Sequence, residues 1–196
     1  GSDPSASGAS SSGSSWTIPG WTRKQAEREL DGLLERSATI RFVREALERA
    51  GCGIGRDFFK VEKCEHAVVG GFLPPEGVIT CHNHIHTRDQ MQNMLVHELI
   101  HAYDQCRAAD LNWSNLEHHA CSEVRAANLS GDCHFWQEFD RGNYRIQGQH
   151  QVCVKRRAAL SVAHNPSCRD EAQAKEVVEK VFSKCYADTA PFDRIP

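Results

Sequence analysis

No stretch of this 196-residue chain approaches the about 18 consecutive apolar residues that a membrane-spanning helix requires. The most apolar run, Val68 to Leu73, is cut by Gly70 and Gly71, so the chain reads as soluble or peripheral to a membrane. A block of like charge is missing too. The 23 basic residues are scattered among 26 acidic ones for a formal net charge of -3, which leaves direct contact with nucleic acid unsupported. None of the nine cysteines forms a C-x-x-C pair, and this removes the zinc-ribbon and thioredoxin-like readings. Residues 1–15 hold no large apolar side chain and cannot offset the entropy of ordering. A disordered Ser/Gly-rich segment is therefore expected over 1–20, followed by a single domain over 21–196, since the length suits one core. The chain opens on Gly-Ser, as a trimmed fragment does, and this end has neither the arginines of a transit peptide nor the apolar core of a secretory signal.

What is present is cysteine at wide, irregular spacing: 52, 64, 81, 106, 121, 133, 153, 168 and 185. Such spacing suits disulfides between helices in an oxidising compartment, with at least one thiol left over because the number is odd; buried thiols in a reduced protein are the alternative. From Thr22 to about Ala50, Leu30, Leu33, Leu34, Phe42, Val43 and Leu47 recur at helical spacing, and Gly51 and Gly53 end the run. Short β-branched runs at Phe58–Val61, Val68–Phe72 and Val78–Thr80, separated by Gly-Gly and Pro-Pro-Glu-Gly, predict a small sheet. Capping-box spacing at Thr87–Gln90 predicts a helix to about Arg107, and the same spacing at Ser114–Glu117 predicts another to about Asn128, closed by Ser130-Gly131. Further helical patterns cover 133–140, 148–163 and 170–186. The expected fold class is α+β, helix-rich, with the small sheet preceding the helix that starts after Thr87.

That helix carries His97-Glu-Leu-Ile-His101. Imidazoles at i and i+4 lie on one helix face, about 6 Å apart along the axis, close enough for one Zn²⁺ to accept both. Glu98 is turned about 100° from His97, where a carboxylate can take a proton from water at the metal. Together these residues suit metal-assisted peptide hydrolysis, with Glu98 as the base. A chain with this many His and Glu residues would match the pattern by chance only about 0.05 times.

A catalytic zinc wants a third protein ligand. Asp104 lies about 10.5 Å along the axis from His97, too far to share the ion, and reads instead as an acceptor for a ligand N–H or as a solvated residue. Glu123, in the middle of the next predicted helix among Ala120, Ala126 and Ala127, is preferred because a carboxylate there needs a partner. His118 and His119 stand as rivals. His82, His84 and His86 alternate and would share one side of a continued strand, as a second metal site or as a polar strand end near the cleft. Tyr103, Tyr144 and Arg125 are the donors considered for stabilising an oxyanion.

The segments His97–Arg107, H-E-L-I-H-A-Y-D-Q-C-R, and His118–Cys133, H-H-A-C-S-E-V-R-A-A-N-L-S-G-D-C, resemble the mitochondrial inner-membrane metalloproteases that assist ATP synthase assembly, a family also known as Ku-antigen-binding proteins. The likeness extends from about Gly51 through Val69-Gly-Gly-Phe72, Ile79-Thr-Cys81 and Cys153 to Pro191–Pro196. It implies a zincin-like metallopeptidase with one zinc per chain, His97, Glu98 and His101 at the metal and catalytic positions, and Glu123 within the family's Ser-Glu-hydrophobic-Arg motif. It further implies several disulfides, the intermembrane space, peripheral attachment to the inner membrane, and a protein substrate, a membrane-sector subunit of ATP synthase. Two readings of other classes accompany it: a chaperone or assembly factor with structural zinc, and a Ku-binding DNA-repair adaptor. The intact Glu98 argues against the first, because structural zinc needs no base. Many members have a cysteine where this chain has Val61, and Cys168 is an addition, so the pairing of cysteines does not carry over whole.

Overall fold

The computed structural model describes residues 19–144 and 147–196. The segment expected to be disordered, 1–20, lies outside the described residues except for Pro19 and Gly20. Where one amphipathic helix was expected from Thr22 to Ala50, two are found, α1 (Arg23–Arg36) and α2 (Ala38–Arg49). Ser37 is the reason: it leaves helical geometry at φ -72° and ψ 116°, and its hydroxyl accepts from the Ile40 N–H as an N-cap. A hydroxyl close to the backbone favours such a cap over a helix interior. Both helices turn Leu30, Leu33, Ile40, Val43 and Leu47 inward.

The sheet has three strands, β1 (Phe59–Glu62), β2 (Gly70–Leu73) and β3 (Gly77–Cys81), in the order β1-β3-β2. β3 is central, parallel to β1 and antiparallel to β2, and all but Ile79 of its residues are buried. β1 alternates, burying Phe59 and Val61 and exposing Lys60 and Glu62. β2 is an edge strand lying against α3 (Arg88–Arg107), and Gly70 makes the approach possible. A Cβ there would stand 2.6 Å from both the Ile79 carbonyl oxygen and the Met94 sulfur.

α3 buries Met91, Leu95, Leu99 and Ile100 against the sheet and the first two helices. Its N-cap is Thr87, whose hydroxyl accepts from the Gln90 N–H; the Gln90 side chain reciprocates to the His86 N–H instead of Thr87, so the expected box is half formed. α4 (Leu116–Leu129) begins one residue later than its predicted cap, because Asn115 accepts from the N–H groups of Glu117 and His118. α5 (Phe135–Asp140), α6 (Gln149–Ala163) and α7 (Glu171–Ala187) follow near the predicted positions. α4 is the seam of the molecule. Ala126 and Leu129 join the core under the sheet, while Ala120, Val124 and Ala127 join a second core with Val154, Ala158, Val178 and Phe182 of α6 and α7.

Four disulfides close this arrangement: Cys52–Cys106, Cys64–Cys81, Cys121–Cys185 and Cys133–Cys153. Cys168 is the free cysteine among the described residues. The helix-rich α+β class, the small sheet ahead of the motif helix and the disulfides with a thiol left over are as expected. Among the described residues no helix is long and apolar enough to cross a membrane.

Candidate metal centre

α3 presents His97 and His101 on the face that meets α4, and the seam position of α4 brings Glu123 up to them. Ligand atoms of His97, His101 and Glu123 all lie within 4.8 Å of one another. His97 Nε2 is 3.3 Å from Glu123 Oε2, and His101 Nε2 is 3.5 Å from Glu123 Oε1. The two imidazole rings stand edge to face at 4.8 Å between centroids. Glu98, 8% exposed, and His97 line a cleft of about 740 Å³. Val68 to Gly70, Gln137, Asp140, Arg141 and Arg157 also line it.

The electrostatics of this cluster couple the carboxylate to the imidazoles. Burial opposes charge on His101, yet the Glu123 carboxylate, with Glu98 and Asp104 behind it, prevails and pushes its pKa up to about 9. Burial likewise opposes charge on Glu123, but His101, His119 and His97 hold it well below the ordinary carboxylate range. A buried anion is therefore present among nitrogens that can serve as ligands. Its Oε2 has no hydrogen-bond partner, although His97 Nε2 is near, and an orphaned buried oxygen is costly unless something positive meets it. Two imidazoles and a carboxylate are the donor set that suits Zn²⁺, so the residues fit the ion.

Asp104, expected as an acceptor near a ligand N–H, reaches His101 through an intermediary. His101 Nδ1 is 2.8 Å from Ser122 Oγ, and that hydroxyl donates to Asp104 Oδ2 at 2.9 Å. Arg125, 1% exposed, donates from Nε to Asp104 at 2.9 Å and from its terminal nitrogens to the carbonyls of Asp188 and Ala190. It is thus committed to structure and is not a free oxyanion donor. Tyr103 packs on the core beneath Arg107, and Tyr144 is 66% exposed. None of the three lines the cleft.

His118 is not brought to the cluster; its Nδ1 accepts from the Asn112 N–H at 3.2 Å. His119 is adjacent, with Nε2 3.2 Å from Glu123 Oε1. The three histidines after β3 do not continue the strand. His82–His84 forms a 3-10 turn because the chain bends at Cys81, and His82 and His84 face the carbonyls of Trp21 and Cys64. They form no metal cluster among the described residues and do not line the cleft.

Sequence reasoning missed Ser122, Trp113, Asn165 and the cleft arginines. Trp113, half-buried, stands edge to face with His101 at 5.7 Å and His119 at 5.9 Å. Arg141 and Arg157 both pair with Asp132 on the cleft wall. Only Ser122 had a signal, its place beside Glu123 on the helix.

Residues 24–193 match the model of the peptidase M76 family. The chain belongs to the peptidase M76 family. Among the M76 relatives it resembles, the mitochondrial inner membrane protease atp23 of Schizosaccharomyces pombe is 39% identical over 174 residues, covering 88% of this chain and 94% of that protein. The mitochondrial inner membrane protease ATP23 of Yarrowia lipolytica is 41% identical over 170 residues, 86% of this chain and 68% of its own. The protein of that name from Saccharomyces cerevisiae S288c is 39% identical over 173 residues, 84% and 76% of the two chains. No solved structure matches this M76 chain.

Proposed function

We propose that this M76 peptidase is a zincin-like, zinc-dependent endopeptidase in which His97, His101 and Glu123 hold one Zn²⁺ and Glu98 is the catalytic base. The observation that carries the reading is the orphaned, buried Glu123 Oε2 among the motif imidazoles, beside a cleft that Glu98 also lines. A bound Zn²⁺ supplies Lewis acidity, which polarises a carbonyl and lowers the pKa of water. Glu98 accepts the proton of the attacking water on its carboxylate and delivers it to the leaving amine. The cleft suits an extended polypeptide. β2 is an edge strand, and Gly70 at its start lines the cleft, so a substrate laid along the strand's open edge meets backbone donors and acceptors.

The relatives' names support a place at the mitochondrial inner membrane, and four disulfides support an oxidising compartment there, the intermembrane space, with peripheral attachment. The family resemblance supports a role in maturation and assembly of ATP synthase, with a membrane-sector subunit as substrate. Glu98→Gln keeps the shape of the side chain but cannot accept the proton. It should retain fold and one zinc per chain while cleavage of an unstructured peptide falls about 10²–10⁴-fold. Unchanged turnover would sink the reading. If ATP synthase assembly survives in cells that carry only this variant, the assembly role is separable from the chemistry.

A further inference from the structure

We propose that Asn165 and His119 are positioning residues that turn Glu123 so that Oε2 is its ligand oxygen, while Asp104 and Ser122 turn His101 so that Nε2 is its ligand nitrogen. The inference rests on the reading of the cluster as a zinc site and adds the means by which its ligand atoms are selected.

The first chain of contacts starts outside the motif helices, just after α6. Asn165 Oδ1 accepts from the Ser167 N–H at 2.9 Å, which fixes the orientation of the amide. Its NH₂ group therefore points the other way, toward the Trp113 carbonyl at 2.8 Å and His119 Nδ1 at 2.9 Å. An amide NH₂ can only donate, so His119 Nδ1 is the bare, accepting nitrogen. The hydrogen of the neutral ring is then on Nε2, which donates to Glu123 Oε1 at 3.2 Å. This has two consequences. His119 has no lone pair to offer on the side of the cluster, and of the two Glu123 oxygens only Oε2 is left without a partner.

The second chain enters from α3 and α4. Ser122 has one hydroxyl hydrogen, and the Asp104 carboxylate, itself clamped by Arg125, can only accept it. The serine oxygen must then accept from His101 Nδ1–H at 2.8 Å, which leaves Nε2 as the nitrogen facing Glu123. Two short relays, one ending on each of two side chains, thus fix which ring nitrogen of His101 and which oxygen of Glu123 face the site. Partners of this kind typically change metal affinity about 10–100-fold when removed.

The test uses the full chain, ¹⁵N-labelled at histidine and loaded with zinc, and reads ring tautomers by long-range ¹H–¹⁵N correlation. The expected spectrum has His119 protonated on Nε2 with a bare Nδ1, and His101 protonated on Nδ1 with its Nε2 at a metal-bound shift. Alongside it, zinc affinity is measured by competition with a chelator for Asn165→Asp, which keeps the shape but offers His119 Nδ1 an acceptor, and for His119→Ala. Both variants should still bind one zinc per chain, about 10–100-fold more weakly. His119 with a metal-bound Nε2, His119 protonated on Nδ1 alone, or unchanged affinity in both variants overturns the proposal while the zinc site stands. Wild-type protein that takes up no zinc overturns the metal-centre reading and the proposal with it.

Discussion

The juxtaposition of His97 and His101 was legible in the sequence because it follows from spacing alone: a helix turns residues i and i+4 to one side wherever it lies in the fold. Glu123 was legible only as a preference, since its partner is on another helix and distance along the chain says nothing about approach. What settled its position was a property invisible in sequence, the burial of α4 on all sides from Ser122 to Leu129. Asn165 could not be found at all: its contact with His119 spans 46 residues and depends on how the chain turns after α6. At this scale the rival ligands separate cleanly. Glu123→Ala should lower zinc affinity by well over the about 10–100-fold lost with an outer partner. His118→Ala, whose ring serves only the Asn112 N–H, should leave affinity and stoichiometry near those of the wild type in the same chelator competition.

Among the elements, helices with strong caps and clear periodicity were found close to their predicted limits, and the misses trace to single polar side chains. Ser37 splits the first helix by capping the second half, and Asn115 takes the capping role expected of Ser114. The three histidines after β3 would have shared one side only on a continued strand, and the chain bends at Cys81 instead. The strand over Val68–Phe72 was legible, but not the reason it carries a Gly-Gly pair, one of which is there for contact. Gly70 faces Met94 and the Ile79 carbonyl, whereas a Cβ on Gly71 would meet nothing within 4 Å. Gly70→Ala should therefore cost about 1–3 kcal/mol of stability through overpacking against α3. Gly71→Ala should stay within about 0.5 kcal/mol. Denaturant midpoints at constant m-value measure both, and equal effects would show that β2 is not seated as described.

For the whole molecule, the α+β class followed from the order of patterns, but the cysteine pairing did not, since pairing is set by which elements pack together. Cys52–Cys106 ties the end of α2 to α3, and Cys121–Cys185 ties α4 to α7, so the two cores on either side of α4 are each cross-linked to the site's helices. Denatured, unreduced protein should show one reactive thiol, Cys168. Each lost bridge should cost about 2–5 kcal/mol, so reduction should make the chain markedly more sensitive to proteases. Seven or more free thiols would contradict the cross-linked arrangement. The central claim is that α3 and α4 converge to hold a metal, and crystals of the zinc-loaded chain test it most directly through an anomalous difference map at the zinc edge. The account predicts one peak per chain, about 2.0–2.2 Å from His97 Nε2, His101 Nε2 and Glu123 Oε2. A peak bound by His118 or His119 in place of Glu123, or no peak between the two helices, would contradict it.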